Sequence, residues 1–384
     1  MMKNNQTEDI LNSINQNVFF KEFTFSKNDF IIQNNKLEFS DHLVWLDDIY
    51  FIFEVKDRHP NEKGDDQKWF KKKVLDKAVG QIKNTIQYIK DYPEITLKNN
   101  KGHQLNVSQV EIQHIKKVII YTPGIDFPEQ KRQIKFYNSR SAGLIHLFHS
   151  EDYYWVCKYL ITPSEVKEYL DFREDFYEAQ SKVLDLFPEQ YVLAHFLETL
   201  EVDHIEPRYI ENLKIIDKEL PDFDMAGIIK NFTTQLTLTN GETEYYAIIK
   251  EIAKLQRTDL IEFKKRFIKA TEVCKKDNLV TPYRIYVPRT DCGFIFIPLP
   301  KSKSANWRTA ITNYTLAHKY DQKALKCVGI VVIDLIIEAE TYFNCYWMYV
   351  ESPWNYEEEI EKKLAENFPF RKMNMKKIDN RYKI

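Results

Sequence analysis

The sequence is poor in cysteine, has no long hydrophobic run and carries almost no net charge. Its five cysteines, Cys157, Cys274, Cys292, Cys327 and Cys345, are scattered among 384 residues and odd in number. No Cys-x-x-Cys pair occurs, so neither a zinc site nor a disulfide framework is indicated. The histidines in apolar surroundings, His146 and His149, and those near helical patterns, His195 and His204, have no acidic partners at metal-ligand spacing. No segment reaches the roughly 18 apolar residues that a membrane-spanning helix needs. The first residues, Met-Met-Lys-Asn-Asn-Gln-Thr-Glu, lack the apolar core of a signal peptide. These absences lead us to expect a soluble, reduced, cytoplasmic protein with no membrane partner. The formal net charge of −2 excludes a generally basic chain, so any nucleic-acid footprint must be a local patch. No glycine-rich phosphate cradle appears, which argues against ATP use. Repeats and low-complexity segments are absent as well. What is abundant is apolar and aromatic material, 43% and 14% of the chain, enough for sizeable cores in more than one domain.

The chain is organised around residues 37–58. Two apolar runs, 42–46 and 49–55, flank Asp47-Asp48, which predicts a β-hairpin with a tight acidic turn. Side chains alternate along a strand, so Glu54 and Lys56 share a face and Ile49, Phe51, Phe53 and Val55 take the other. Burying a glutamate and a lysine at the end of so apolar a strand is costly unless they are paired or given a ligand. Asp41, at the start of the first strand, lies across the hairpin from Lys56. Asp41, Glu54 and Lys56 therefore converge on one patch. Two carboxylates are hard oxygen ligands for Mg²⁺ or Mn²⁺, with the Val55 carbonyl as a third protein ligand. Such a metal acidifies a bound water and neutralises charge on phosphorus, and a lysine beside it orients that water. The bland alternative is a strand-end salt bridge plus a turn aspartate.

These residues resemble a family. Asp41 followed by Glu54-Val55-Lys56 is similar to the motif of the PD-(D/E)xK nuclease superfamily, with Ser40 where the name of the motif has proline. Leu37-Glu38-Phe39-Ser40-Asp41 with Phe53-Glu54-Val55-Lys56 is closest to a group of uncharacterised bacterial nuclease-like proteins. The resemblance covers roughly the first 150 residues. It implies Asp41, Glu54 and Lys56 as catalytic residues, Glu38 as an additional acidic one, and Gln81 on the following helix facing the metal. It also implies a setting in defence against foreign DNA. For Glu38 a structural role is the alternative, and for Gln81 a solvated helix face.

Around this hairpin we expect a short helix over 7–16, a strand over 18–25 and a loop from 57 to 67. A long helix follows over 69–91, with Leu75, Val79, Ile82, Ile86 and Ile89 as its apolar stripe. Lys68, Lys71, Lys72, Lys73 and Lys77 load its first half. They offer phosphate contacts, or are simply a solvated face. A buried strand is expected at 118–121. This order fits the α-β-β-β-α-β, restriction-endonuclease-like core of the superfamily. From 162 the texture becomes helical: 164–180 after Pro163, then 189–200, 208–216, 222–238 and 242–275. From 278 a β-β-α-β-β-α order suggests a compact α/β domain. Its Trp307 and Arg308, with Lys301 and Lys303, suit bases and phosphates or merely a loop before a helix.

The expectation is thus a mixed α/β protein with a nuclease-like domain at 1–161, a helical section at 162–276 and a C-terminal α/β domain at 277–384. The expected function is a Mg²⁺- or Mn²⁺-dependent nuclease acting on DNA rather than RNA, with room for a protein partner or homo-oligomer. The alternative is a catalytically silent nuclease-like module that binds nucleic acid or a protein.

Overall fold

The computed structural model describes residues 6–26, 28–32, 35–59, 64–108, 110–223, 241–276, 278–337 and 340–372. The chain divides into two compact units, Met1–Pro221 and Asp222–Ile384, and both mix helix and sheet. The expected separate helical section is shared between them. The helices of 163–198 belong to the first unit and those of 246–273 to the second. The expected helix at 222–238 lies almost wholly outside the described residues. Among the described residues no helix is long and apolar enough to cross a membrane.

The first unit opens with α1 (Gln6–Val18) and β1 (Thr24–Ser26), so the strand expected over 18–25 is confined to its last two residues, and Val18 ends the helix instead. Strands β2 (Asp29–Ile32) and β3 (Asn35–Glu38) form a separate two-stranded ribbon. The expected hairpin is β4 (His42–Leu46) and β5 (Ile49–Asp57), antiparallel, with Leu46 beside Ile49 and only Asp47-Asp48 between them. Asp47 has φ of 53°, a left-handed conformation that aspartate tolerates in tight turns. Next come α2 (Asp66–Trp69), a π-helix (Phe70–Ala78) and α3 (Val79–Asp91), running as one rod, then a small ribbon of β6 (Thr96–Lys98) and β7 (Gln104–Asn106). Strand β8 (Ile115–Thr122), the short α4 (Glu129–Arg132), β9 (Phe136–Ser139) and β10 (Gly143–His149) complete the sheet. Its order is β1-β4-β5-β8-β10-β9, with β5, β8 and β10 parallel and the outer pairs antiparallel. Helices α5 (Ser150–Tyr159), α6 (Pro163–Leu184), α7 (Glu189–Glu198) and α8 (Leu213–Phe223) follow.

The two faces of this sheet are covered differently. Ile52, Ile119, Tyr121, Ile145 and Leu147 share a core with Phe70, Val74, Ala78, Ile82 and Ile86 of the α2–π–α3 rod. Phe51 and Phe53 lie on the other face. Phe51 meets Phe19, just after α1, and Phe53 meets Tyr153 of α5, at ring separations of 5.4 and 5.7 Å. Glu54 and Lys56 alternate with Phe53 and Val55, so they point towards the rod.

The π-helix has a cause in the sequence. Phe70, Val74, Ala78, Ile82 and Ile86 are all buried, and each is four residues after the last. Four residues carry an α-helix about 400° round, about 40° past a full turn. A π-helix turns less per residue. Its two four-residue steps fall short while the next two overshoot, so the stripe stays on the sheet. The expected stripe, beginning at Leu75, holds only from Val79 onward; Leu75 itself is half-buried.

In the second unit α9 (Tyr246–Ala253) and α10 (Arg257–Val273) precede β11 (Tyr283–Val287) and β12 (Cys292–Leu299), then α11 (Trp307–Asp321), β13 (Lys326–Ile337), β14 (Glu340–Glu351) and α12 (Glu358–Glu366). This is the expected β-β-α-β-β-α order. The sheet runs β11-β12-β13-β14, parallel only between β12 and β13. Helix α11 packs through Ile311 on Ile295, Ile297, Val331 and Ile333, and α10 through Phe263 on Phe294 and Phe296.

Candidate active site

The hairpin brings Asp41, Glu54 and Lys56 together as its register requires. His42 lies beside Phe53, which sets Asp41 across from the strand segment 54–56. Asp41 Oδ2 accepts from the Val55 N–H at 2.7 Å and from Lys56 Nζ at 3.1 Å. Lys56 Nζ also donates to Glu54 Oε2 and to the Val55 carbonyl oxygen, each at 2.9 Å. The three protons of the ammonium thus match three oxygens. The Glu54 side chain is 1% exposed, Lys56 11% and Asp41 15%, so the cluster reaches solvent on the side of Asp41 and Lys56.

Charge is unbalanced here, since one ammonium faces two carboxylates. Burial, and then the charge of Asp41, push the Glu54 carboxyl well above the usual carboxylate range, against the pull of Lys56. Burial works against the Lys56 ammonium, but Glu54 and Asp41 outweigh it and raise its pKa. Glu54 Oε1 is buried with no hydrogen-bond partner. A buried acceptor left unmade costs about 1–3 kcal/mol, so this oxygen is an open demand for a cation or a donor. Among the described residues no group of three or more His, Cys, Asp or Glu side chains is arranged to hold a metal. A metal would therefore rest on the two carboxylates and the Val55 carbonyl, all hard oxygens of the kind Mg²⁺ and Mn²⁺ prefer. The donor chemistry and the orphaned Glu54 oxygen fit that group.

The loop before β4 is fixed from two sides. Thr85 of α3, fully buried, donates its hydroxyl to the Phe39 carbonyl, and the Asn28 carbonyl accepts from the Phe39 N–H at 2.7 Å. Thr85 Oγ1 also lies 3.2 Å from the Gln81 carbonyl, one turn earlier on the same helix. Gln81 therefore belongs to the helix that covers the Glu54 face, and its side-chain oxygen too is buried and without a partner. Thr85 and Asn28 were not foreseen. The one available signal was Thr85, a hydroxyl lying within the apolar stripe between Ile82 and Ile86.

Other expected site residues lie elsewhere. Glu38 is exposed at the end of β3, on the separate ribbon beside Asp29. Lys68, Lys71, Lys72 and Lys77 are exposed and Lys73 is half-buried. Among the described residues none of the five is ion-paired. Lys131 of α4 joins their end of the rod by donating to Gln67 Oε1 at 2.8 Å. Arg58 is buried and pairs with Asp66, which also accepts from the Gly124 N–H at 3.1 Å. Glu22 is buried and lies 3.7 Å from Lys101. In the second unit Trp307 stacks on Tyr346 at 3.8 Å, and the Arg308 guanidinium lies over the Trp307 ring at 4.6 Å. A polar cavity of about 160 Å³, lined among others by Arg132, Lys135, Asp152 and Glu189, holds no residue of the Asp41 cluster.

No protein-family model, no curated protein and no solved structure matches the chain.

Proposed function

We propose that the first unit is a metal-dependent nuclease that hydrolyses phosphodiester bonds in DNA. The observation that carries this reading is the meeting of Asp41, Glu54 and Lys56 through one ammonium, at the solvent-reaching edge of a buried sheet. It is supported by the order of elements: a helix, an antiparallel meander of β1, β4 and β5, a covering helix, and β8 parallel to β5. The unpaired lysines of the π-helix support a polyanion as substrate, since each phosphate they reach adds to affinity by releasing counterions. The PD-(D/E)xK resemblance suggests the same chemistry and a role in defence against foreign DNA.

In this reading Asp41, Glu54 and the Val55 carbonyl would hold Mg²⁺ or Mn²⁺. When bound, such an ion lowers the pKa of water and offsets charge at phosphorus. Lys56 would hold the attacking water or a non-bridging phosphate oxygen by a charge-assisted hydrogen bond. Gln81 would orient water through its carboxamide. Thr85 and Asn28 keep Asp41 in register, and Lys68, Lys71, Lys72, Lys73 and Lys77 draw in the backbone. The alternative, a silent module that binds without cleaving, rests on the same geometry.

The test is incubation of the purified chain with plasmid, linear and single-stranded DNA, with and without Mg²⁺ or Mn²⁺. Metal-dependent cleavage that disappears in Lys56→Ala is the expected result. Binding without cleavage under either metal would leave the silent module in its place.

A further inference from the structure

We propose that Lys56 is the resident cation of the Asp41–Glu54 site, and that a divalent ion enters by displacing it, so that Lys56 sets how tightly the site takes metal. This rests on the nuclease reading above. Nζ lies 2.9–3.1 Å from Asp41 Oδ2, Glu54 Oε2 and the Val55 carbonyl oxygen. These belong to the same three groups that a metal would use. Mg²⁺ bonds its oxygens at about 2.0–2.1 Å, so an ion held by all three oxygens would stand in the space of the ammonium. The two like charges cannot share it. Glu54 Oε1, buried and without a partner, is one further oxygen. A single oxygen is too few for a hard cation that demands several ligands.

Charge gives the exchange its direction. The ammonium leaves the two carboxylates one positive charge short, and a double charge makes up the difference where a single one does not. The site therefore selects divalent over monovalent ions through Lys56. Its side chain is 11% exposed, which gives the displaced ammonium a way towards solvent and an incoming phosphate.

The experiment is calorimetric titration of Mn²⁺ into the wild-type chain and into Lys56→Met, at one pH for both. Methionine keeps length and flexibility without charge. Lys56→Met should bind Mn²⁺ at least about tenfold more tightly, because a unit charge in contact with the ligands is gone. A second measurement needs no variant. Amine-reactive labelling of the wild-type chain, read by mass spectrometry, should rise severalfold at Lys56 when Ca²⁺ is added. If the wild type binds Mn²⁺ and the variant binds no more tightly, displacement is wrong and the metal site stands. If neither binds, the metal site fails and the exchange with it. Should Lys56→Met not fold, unchanged or reduced labelling of Lys56 with Ca²⁺ overturns the exchange.

Discussion

On the face of the sheet away from Lys56, Arg173 of α6 is wholly buried. Its guanidinium donates to His146 Nδ1 at 3.0 Å, to the Leu147 carbonyl at 3.3 Å and to Glu189 Oε2 at 3.2 Å. Its Nε lies 3.0 Å from Glu189 Oε1, close enough for an ion pair although not in a hydrogen-bonding direction. The plane rests on Phe148 at 3.9 Å. His146 Nε2 in turn lies 2.9 Å from Glu174, which also meets Lys116. Every carboxylate here has a cation, and Glu189 also accepts the Tyr169 hydroxyl. The Asp41 cluster differs in its charge. It has one cation for two carboxylates and a buried carboxylate oxygen with no partner. A network whose charges are matched holds elements together, and α6 is held on β10 in this way. A cluster left short of charge at an accessible edge is poised to take something up.

This contrast can be broken by experiment, and the largest effect is expected at Arg173. Arg173→Met should cost about 3–5 kcal/mol of stability, because it leaves the buried Glu189 with only the more distant Lys135 ammonium, 3.8 Å away. Urea unfolding of the variant measures this, and a loss below about 1 kcal/mol would mean that the network is no staple. Lys56→Ala should do the reverse. It should stay folded, because water reaches the space that the side chain leaves beside Asp41, and keep DNA binding, while cleavage falls by about 10²–10³, the usual cost of one electrostatic stabiliser. If it unfolds as readily as Arg173→Met, both clusters are structural.

Acid should sharpen the comparison further. Burial, chiefly, lowers the His146 pKa to about 4 from an ordinary 6.5. Between those values the unfolded chain binds the proton and the folded one does not, so stability falls as pH drops from about 6.5 to 4, by up to roughly 3 kcal/mol. His42, His149 and His318 shift the same way. Denaturant midpoints at several pH values should therefore show a flatter slope in His146→Gln, not a vanished one. An identical slope would place the His146 proton outside this balance. The smallest change in stability, within about 0.5 kcal/mol, is expected for Lys71, Lys72 and Lys73 changed together to Glu. Its signature lies in DNA binding, where the salt slope should flatten by up to about 0.9 for each phosphate that these lysines neutralise. An unaltered slope would make that face merely solvated.

The hairpin and the meeting of its three side chains were legible because the features that announce them are local. Period-two alternation, an Asp-Asp turn and a spacing that puts Asp41 across from Lys56 need no distant partner. The Arg173 network was not legible. Its arginine reads as one charge on an amphipathic helix, and its partners come from residues 146–147 and 189. The pairing of Arg58 with Asp66 was hidden in the same way, by a loop whose closure no periodicity announces. The π-helix was written in the four-residue spacing from Phe70 to Ile86, but an α-helical template matches that spacing only from Val79 onward. The lysines were visible as a run, but whether they had acidic partners was not. Gln81 was visible as a residue off the stripe; that its oxygen is buried without a partner depends on how α3 lies over β5.

Metal linkage tests the central claim most directly, because it needs no substrate. If Asp41 and Glu54 form a divalent site only in the folded chain, Mn²⁺ must stabilise that chain by about 1.4 kcal/mol when it stands about tenfold above Kd. In a chain of 384 residues this is a rise in Tm of at most a few degrees. The account predicts that rise in wild type and its absence in Asp41→Ala, with ionic-strength controls separating the site from diffuse binding to the acidic surface. Equal Mn²⁺ shifts in the two proteins would contradict it.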